Sequence, residues 1–406
     1  MFFFEYSAQF GSEIPKTRPW WDIEARFLVS VESGDVDCTR HLLSLDHGGQ
    51  KIDPDIRIYN GPAGSRLGKP AICSAIERGL YDMTKLLIDF GASVNLGDIF
   101  SPIHYAVKSL NLDILRLLIS NRADVNALSS FGDSALHLAA QQPFSEIVQE
   151  LIDGGAELDK EDSRGRSPLS LACIHNQSRV VEILLNAGAN VNHEDKDGDS
   201  PLLHTIKSGL CLNSNIVGTL LKAGANPNHM NSFGQTPLTF TVRRCSETNL
   251  EGQVAVKQLI DHNCHVNVQE AGPFGENAIH LAISRGQDSI TEMLIRAGCD
   301  LSCVNQFGAT PLERVCKEGK IDLVKLMLAS GSPVNLTQSY WDYFECYQSD
   351  DETLRETLRS HANTTQSLKH FCRIRLRNLW GRRSDEILDK INLPGCIKEY
   401  LRLNSL

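Results

Sequence analysis

The chain has 406 residues, 41% of them hydrophobic and 22% charged, with a formal net charge of −10. That length exceeds one compact core and calls for several units or an elongated array. The acidic balance argues against general nucleic-acid binding, no run approaches the roughly 18 apolar residues of a membrane span, and twelve cysteines without a framework of spacings predict reduced thiols in a cytoplasmic or nuclear protein.

Residues 1–19 open MFFFEYSAQF, with neither a basic flank nor a long apolar stretch, and read as an N-terminal segment. Residues 20–46 place Gly34 and Leu42-Leu43 at the spacing of Asn176 and Leu184-Leu185, which predicts a degenerate first repeat that caps the units behind it. Residues 47–68 form a Gly- and Pro-bearing insertion. The stretch AGSRLGKP nearly fits a phosphate-binding loop, but Ala63 replaces its first glycine and Pro70 its magnesium-binding hydroxyl. Pro70 reads instead as a helix-start proline, and no nucleotide site is expected.

From 69 to 335 the sequence repeats itself. Copies open at Ser101-Pro102, Ser134-Ala135, Ser167-Pro168, Ser200-Pro201, Thr236-Pro237, Asn277-Ala278 and Thr310-Pro311, with a weaker one at Lys69-Pro70. Ser, Thr or Asn caps a helix N-terminus, and proline suits the first helical turn because its missing N–H would be unpaired there. Four residues on, Ala106, Ala139, Ala172 and Ala282 let neighbouring helices approach closely. A second helix ends in pairs such as Leu117-Leu118, and Gly91, Gly155, Gly188 or Gly224 then supplies the left-handed residue that closes it. Asn263 tolerates that conformation, and Arg122 does so less easily.

This pattern resembles the ankyrin repeat. The resemblance implies a mainly α ankyrin-repeat solenoid of helix-turn-helix units joined by β-turn or hairpin loops, eight copies over 69–335. It also implies that His104, His137 and His280 tie adjacent turns by hydrogen bonds. Turn asparagines such as Asn126 and Asn192 look like sites of asparaginyl hydroxylation in ankyrin proteins. Extra residues around Gly209–Asn215 and within RRCSETNLEG read as exposed loops, either drifted or shaped for a partner. His262, Cys264 and His265 cluster in sequence, but zinc would need a second ligand pair, so they are read as structural and no metal or cofactor is expected. No matched nucleophile, base and oxyanion site is evident, so no catalytic residue is assigned.

Residues 336–366 are aromatic and then acidic, a connector. The stretch from Gln366 onward carries nine Lys/Arg and four Asp/Glu, a balance of +5 that leaves −15 on the rest. Three short helices are expected over 367–404, too few to stabilise themselves without a partner. This tail resembles a SOCS box, and the whole order resembles the ankyrin-repeat-and-SOCS-box family. Ser367, Leu368, Cys372 and Leu376 match its BC box (367–376), implying that Leu368 anchors in Elongin C, which pairs with Elongin B. Ile391, Leu393, Pro394, Ile397, Tyr400 and Leu401 match its cullin box (391–401), with Asn392 where a proline is expected. The implied function is a non-catalytic substrate receptor of an Elongin B/C–Cullin-5–RING ubiquitin ligase, its ankyrin surface holding a protein target, with neither nucleic acid nor membrane as partner; the insertions and the negative surface suggest a target with some basic character. The alternative is a non-degradative ankyrin scaffold.

Overall fold

The computed structural model describes residues 19–45, 51–58, 68–208, 212–269, 277–305 and 307–332. Among them the chain is a helical repeat array of nine helix pairs and one two-residue ribbon. The pairs are α1 (Pro19–Ser33) and α2 (Val36–Ser44), α3 (Ala71–Glu77) and α4 (Tyr81–Asp89), α5 (Pro102–Lys108) and α6 (Leu112–Ser120), and α7 (Ala135–Ala140) and α8 (Ser145–Asp153). They continue as α9 (Pro168–Ile174) and α10 (Ser178–Asn186), α11 (Pro201–Lys207) and α12 (Ser214–Lys222), and α13 (Pro237–Arg244) and α14 (Leu250–Asp261). The last two are α15 (Ala278–Ser284) with α16 (Asp288–Arg296), and α17 (Pro311–Lys317) with α18 (Ile321–Ala329).

The helices fall into two compact units. One comprises the described residues through Leu171 together with Asn186–Gly188; the other comprises Ala172–Leu185 and those from Ala189 on. In the first unit α1, α3, α5 and α7 touch in sequence, and so do α2, α4, α6 and α8. In the second, α11, α13, α15 and α17 form one such layer and α12, α14, α16 and α18 the other. The core lies between the layers: Ile103, Leu118, Leu136 and Leu151 in the first unit, and Leu203, Leu220, Leu259 and Leu294 in the second, are fully or almost fully buried. Each such side chain contributes roughly 1.5–3 kcal/mol. Ala106, Ala139, Ala172 and Ala282 are buried as their spacing requires.

The repeat openings cap as expected, with two exceptions. Ser134, Ser200, Thr236, Asn277 and Thr310 each accept a backbone N–H from the first turn of their helix, and Pro102, Pro201, Pro237 and Pro311 occupy that turn. Ser101 makes no such cap; its hydroxyl lies 2.7 Å from His104 Nδ1. The weak first copy is shifted by one residue. Lys69-Pro70 is not a helix start but strand β2, paired antiparallel with β1 (Arg57–Ile58), and the helix begins at Ala71 with Pro70 as its cap residue. Part of the 47–68 insertion is thus held rather than loose. Ile52 is buried, and the Asp55 carboxylate accepts the Ser93 N–H at 2.8 Å. Gly68 O accepts from Arg57 at 2.9 Å, while residues 59–67, with most of the phosphate-loop near-match, lie outside the described residues.

The long loop before α14 is clamped on both sides. Glu247 accepts Ser289 N–H at 3.1 Å and Ser289 Oγ at 2.6 Å, and the buried Gln287 amide donates to Val242 O at 3.0 Å and to Cys245 O. Glu251 reaches back to accept Ser214 N–H at 3.0 Å. The extra residues of RRCSETNLEG therefore connect neighbouring repeats instead of forming a free loop.

Polar clamps join successive turns. His137 Nδ1 accepts the Ser134 N–H at 3.1 Å, so the ring proton is on Nε2, which donates to Arg166 O at 3.0 Å. His104 reaches Asp133 O at 2.9 Å and His280 reaches Cys303 O at 3.3 Å in the same way. The turn asparagines do likewise with both ends of the amide. Asn126 donates to Gly155 O at 3.1 Å and accepts Glu157 N–H at 2.8 Å; Asn192 donates to Gly224 O at 3.1 Å and accepts Asn226 N–H at 2.8 Å.

Two outcomes follow from this geometry. Burial lowers the affinity of His104, His137 and His280 for a proton. Their stabilisation is therefore complete above the ordinary imidazole value of about 6.5 and declines as pH falls through it, because the unfolded chain takes up protons that the folded one refuses. The melting temperature is expected to fall between pH 7.5 and 5, and the fall to shrink in His137→Gln, whose amide keeps a donor without titrating; an unchanged pH slope assigns the effect elsewhere. Leu110 has a φ of 55° at the position where Gly79 has 72°. The left-handed conformation costs a non-glycine residue about 1–2 kcal/mol, only partly offset by the entropy of glycine in the unfolded chain. Leu110→Gly is expected to stabilise the protein by about 0.5–1 kcal/mol in urea titration.

Candidate functional site

Cys303 sits beside His280 and Asn277, with Sγ 3.6 Å from His280 Nε2 and 2.9 Å from the Asn277 amide nitrogen that donates to it. Burial pushes that thiol up, whereas a nucleophilic cysteine needs a lowered value. The buried Cys173 and Cys316 thiols are pushed up to about 12 by the same cause. His262, Cys264 and His265 do not converge: His262 Nδ1 lies 2.8 Å from Gln258 O of its own helix, Cys264 is buried, and the His265 backbone N–H goes to Asn228.

Among the described residues the group with metal-like spacing is Asp195, Asp199 and His204, whose ligand atoms lie within 4.8 Å of one another. Sequence reasoning missed it, since the three come from a turn and a helix without a motif. Its carboxylate oxygens already have protein partners. Lys207 Nζ is 2.7 Å and Asn231 Nδ2 2.8 Å from Asp199, His204 Nε2 is 3.0 Å from Asp195, and Asp195 also accepts the N–H groups of Asp197 and Asp199 at 3.0 and 2.8 Å. The arrangement holds a turn against α11.

What the array does present is apolar turn tips. In the first unit Leu128 and Phe131 are 51% and 59% exposed. Phe131 lies 5.9 Å from Phe100, whose ring meets Tyr105 edge-on at 5.8 Å and carries the Lys108 ammonium at 4.0 Å. Tyr105 donates to Asp98 at 2.9 Å, and burial followed by this bond raises its phenol. In the second unit Met230, Phe233, Val304 and Phe307 are exposed, Phe307 by 76%. Large apolar side chains left about half or more exposed on turns suit protein contact. Their signal in the sequence is an aromatic residue placed directly before the turn glycine, at Phe131-Gly132, Phe233-Gly234 and Phe307-Gly308.

Ser367, Leu368, Cys372 and Leu376, and Ile391, Leu393, Pro394, Ile397, Tyr400 and Leu401, lie outside the described residues, as does the connector before them. Among the described residues no helix is long and apolar enough to cross a membrane.

Comparison with known families matches ankyrin repeats (three copies) at residues 27–129, 103–195, 202–301 and 245–338, about three quarters of the chain, and a SOCS box at 364–402. Among curated proteins, the human palmitoyltransferase ZDHHC17 is 38% identical over 76 residues, 18% of this chain and 12% of that protein. The tyrosine-protein kinase HTK16 of Hydra vulgaris is 32% identical over 96 residues, 23% of this chain and 12% of that one. The mouse B-cell lymphoma 3 protein homolog is 30% identical over 115 residues, 28% of this chain and 24% of that protein. The chain spans less than a quarter of the length of these relatives, so the similarity is one of a shared repeat segment. With its caps, paired helices and turn clamps on the same period, the chain belongs to the ankyrin-repeat family, and it carries a SOCS box in its C-terminal region.

Proposed function

We propose that the chain is the target-binding subunit of an Elongin B/C–Cullin-5–RING ubiquitin ligase, holding a protein on its ankyrin turns while its SOCS box recruits the ligase. One observation carries the reading: a SOCS-box match at 364–402 on the same chain as an ankyrin array, spanning both the BC-box residues and the cullin-box residues. The physical need is plain in the sequence. Leu368, Cys372 and Leu376 fall at four-residue intervals, a spacing that on a helix would put them on one face as a narrow apolar stripe amid Lys369, Arg373, Arg375 and Arg377. A segment of some forty residues buries too little apolar area to stand alone. Elongin C would cover that stripe, with Leu368 as anchor, and the segment 391–401 would meet Cullin-5. The chain itself would make no bonds; it raises the target's effective concentration beside the activated ubiquitin.

Purified full-length chain is expected to capture Elongin B/C, and Leu368→Pro with Cys372→Phe to abolish capture while leaving the melting of the array unchanged. Capture that survives both substitutions sinks the reading and favours a non-degradative scaffold. Asn392→Pro restores the family's proline and is expected to strengthen Cullin-5 binding to the Elongin-loaded chain several-fold in calorimetry, with Elongin affinity unchanged.

A further inference from the structure

The charge of the array is not spread evenly over its two layers. In the second unit the helices α11, α13, α15 and α17 pack in sequence, so matching positions stand side by side. Their last turns and the residues just after carry Lys207, Arg243, Arg244, Arg285, Arg314 and Lys317. Glu313 and Glu318 are the acidic residues there: the Glu313 carboxylate is buried and accepts the Thr310 N–H at 2.8 Å, and Glu318 pairs with Lys320 Nζ at 2.8 Å. The corresponding stretches of α3, α5 and α7 hold Glu77, Arg78 and Lys108, and so no comparable row.

Part of this row is pinned into the fold. Lys207 pairs with Asp199 and stands 5.7 and 5.5 Å from the rings of Phe233 and Phe240. Arg244 donates to Ile206 O at 3.0 Å and Lys207 O at 2.6 Å, closing the end of α11. At the other end Arg314 and Lys317 line a cavity of about 340 Å³ with Asn305, Phe307, Ala309 and Glu318. Its wall thus combines two cations with the most exposed aromatic ring of the described residues.

We propose that this face of the second unit docks an acidic target segment in which carboxylates alternate with apolar side chains. The proposal rests on the target-binding role above and names the chemistry of the target. Carboxylates meet the cation row, and apolar side chains meet Phe233, Met230 and Phe307. The net charge of the chain points the other way, toward a basic target, but charge farther than about 8–10 Å from the contact is screened at physiological salt. Local sign decides, and locally the sign is positive. Such complementary charge sets association rate and partner choice.

The test uses the full chain and a fluorescein-labelled 16-residue peptide repeating Glu-Asp-Phe-Leu, read by anisotropy beside its Gln-Asn-Phe-Leu counterpart. Saturable binding of the acidic peptide is expected, weakened at least tenfold by Arg285→Glu, Arg314→Glu and Lys317→Glu together and by 0.5 M salt, with the amide peptide binding at least tenfold more weakly. Lys222→Glu with Lys257→Glu, reversals on α12 and α14, serves as the charge control and is expected to stay within twofold. Unaltered thermal melting and Elongin capture certify that the triple variant is folded and keep this test separate from the ligase reading. Equal binding by the triple variant, or by the amide peptide, overturns the proposal. So does binding that emerges only when Asp342, Glu345, Asp350, Asp351 and Glu352 are neutralised together, for that assigns the row to the chain's own acidic stretch.

Discussion

A pair of helices six to fifteen residues long cannot bury both of its apolar sides, and the rest of the described array answers to that constraint. Each pair leaves its sides to its neighbours, which is why Leu118, Leu151, Leu220 and Leu294 lose essentially all contact with water. Apolar stacking alone is non-directional and would let one pair slide on the next. Direction comes from the turns. An asparagine amide with only two strong functions spends both on the neighbouring turn, as Asn126 and Asn192 do. An imidazole kept neutral by burial bridges a cap hydroxyl and a carbonyl 29 residues on, as His104 and His137 do. Both clamps demand a fixed spacing of turns, and that spacing sets where tips and cations stand.

Departures from the period are absorbed without breaking this logic. Asn213, within the lengthened stretch around Gly209–Asn215, caps α12 and donates to Asn176 at 2.8 Å and Ser178 at 3.1 Å. The longer loop before α14 uses Glu247 and Glu251 to hold one repeat on each side. At Gly252 an added Cβ would overlap Cys245 Sγ, so the loop and α14 meet too closely for any other residue. These are costs in sequence freedom that a drifting loop would not carry.

The sequence made the period, the caps and the left-handed helix ends legible because each depends on residues close together in the chain. Arg122 and Asn263 sit at φ 63° and 62°, as their place after the second helix requires. The shifted start at Ala71 was not legible, since Lys69-Pro70 imitates a repeat opening while pairing with Arg57–Ile58 across an insertion. Nor was the Asp195–Asp199–His204–Lys207 network, which draws on a turn and a helix and is completed by Asn231 from the following repeat. The cation row escaped for another reason. Composition averages over both layers and both units, whereas contact reads only the few ångströms that face the partner.

On the proposed reading, recognition and ligase recruitment ask opposite things of a chain, and the array and the SOCS box would answer them separately. A receptor gains by holding its target in one geometry, because effective concentration falls when the connection between two sites loosens. Buried leucines, neutral imidazoles and doubly bonded amides supply that rigidity in the repeats. Recruitment gains by remaining incomplete. On that reading Leu368, Cys372 and Leu376, four residues apart in sequence, would form an apolar stripe whose burial energy is kept for a partner. Were the stripe satisfied internally, a partner would have to displace that packing first, and the net affinity would shrink by the same amount. Rigidity is thus asked of the described repeats and, on the proposed reading, recruitment of the SOCS-box residues, so the two demands fall on different side chains.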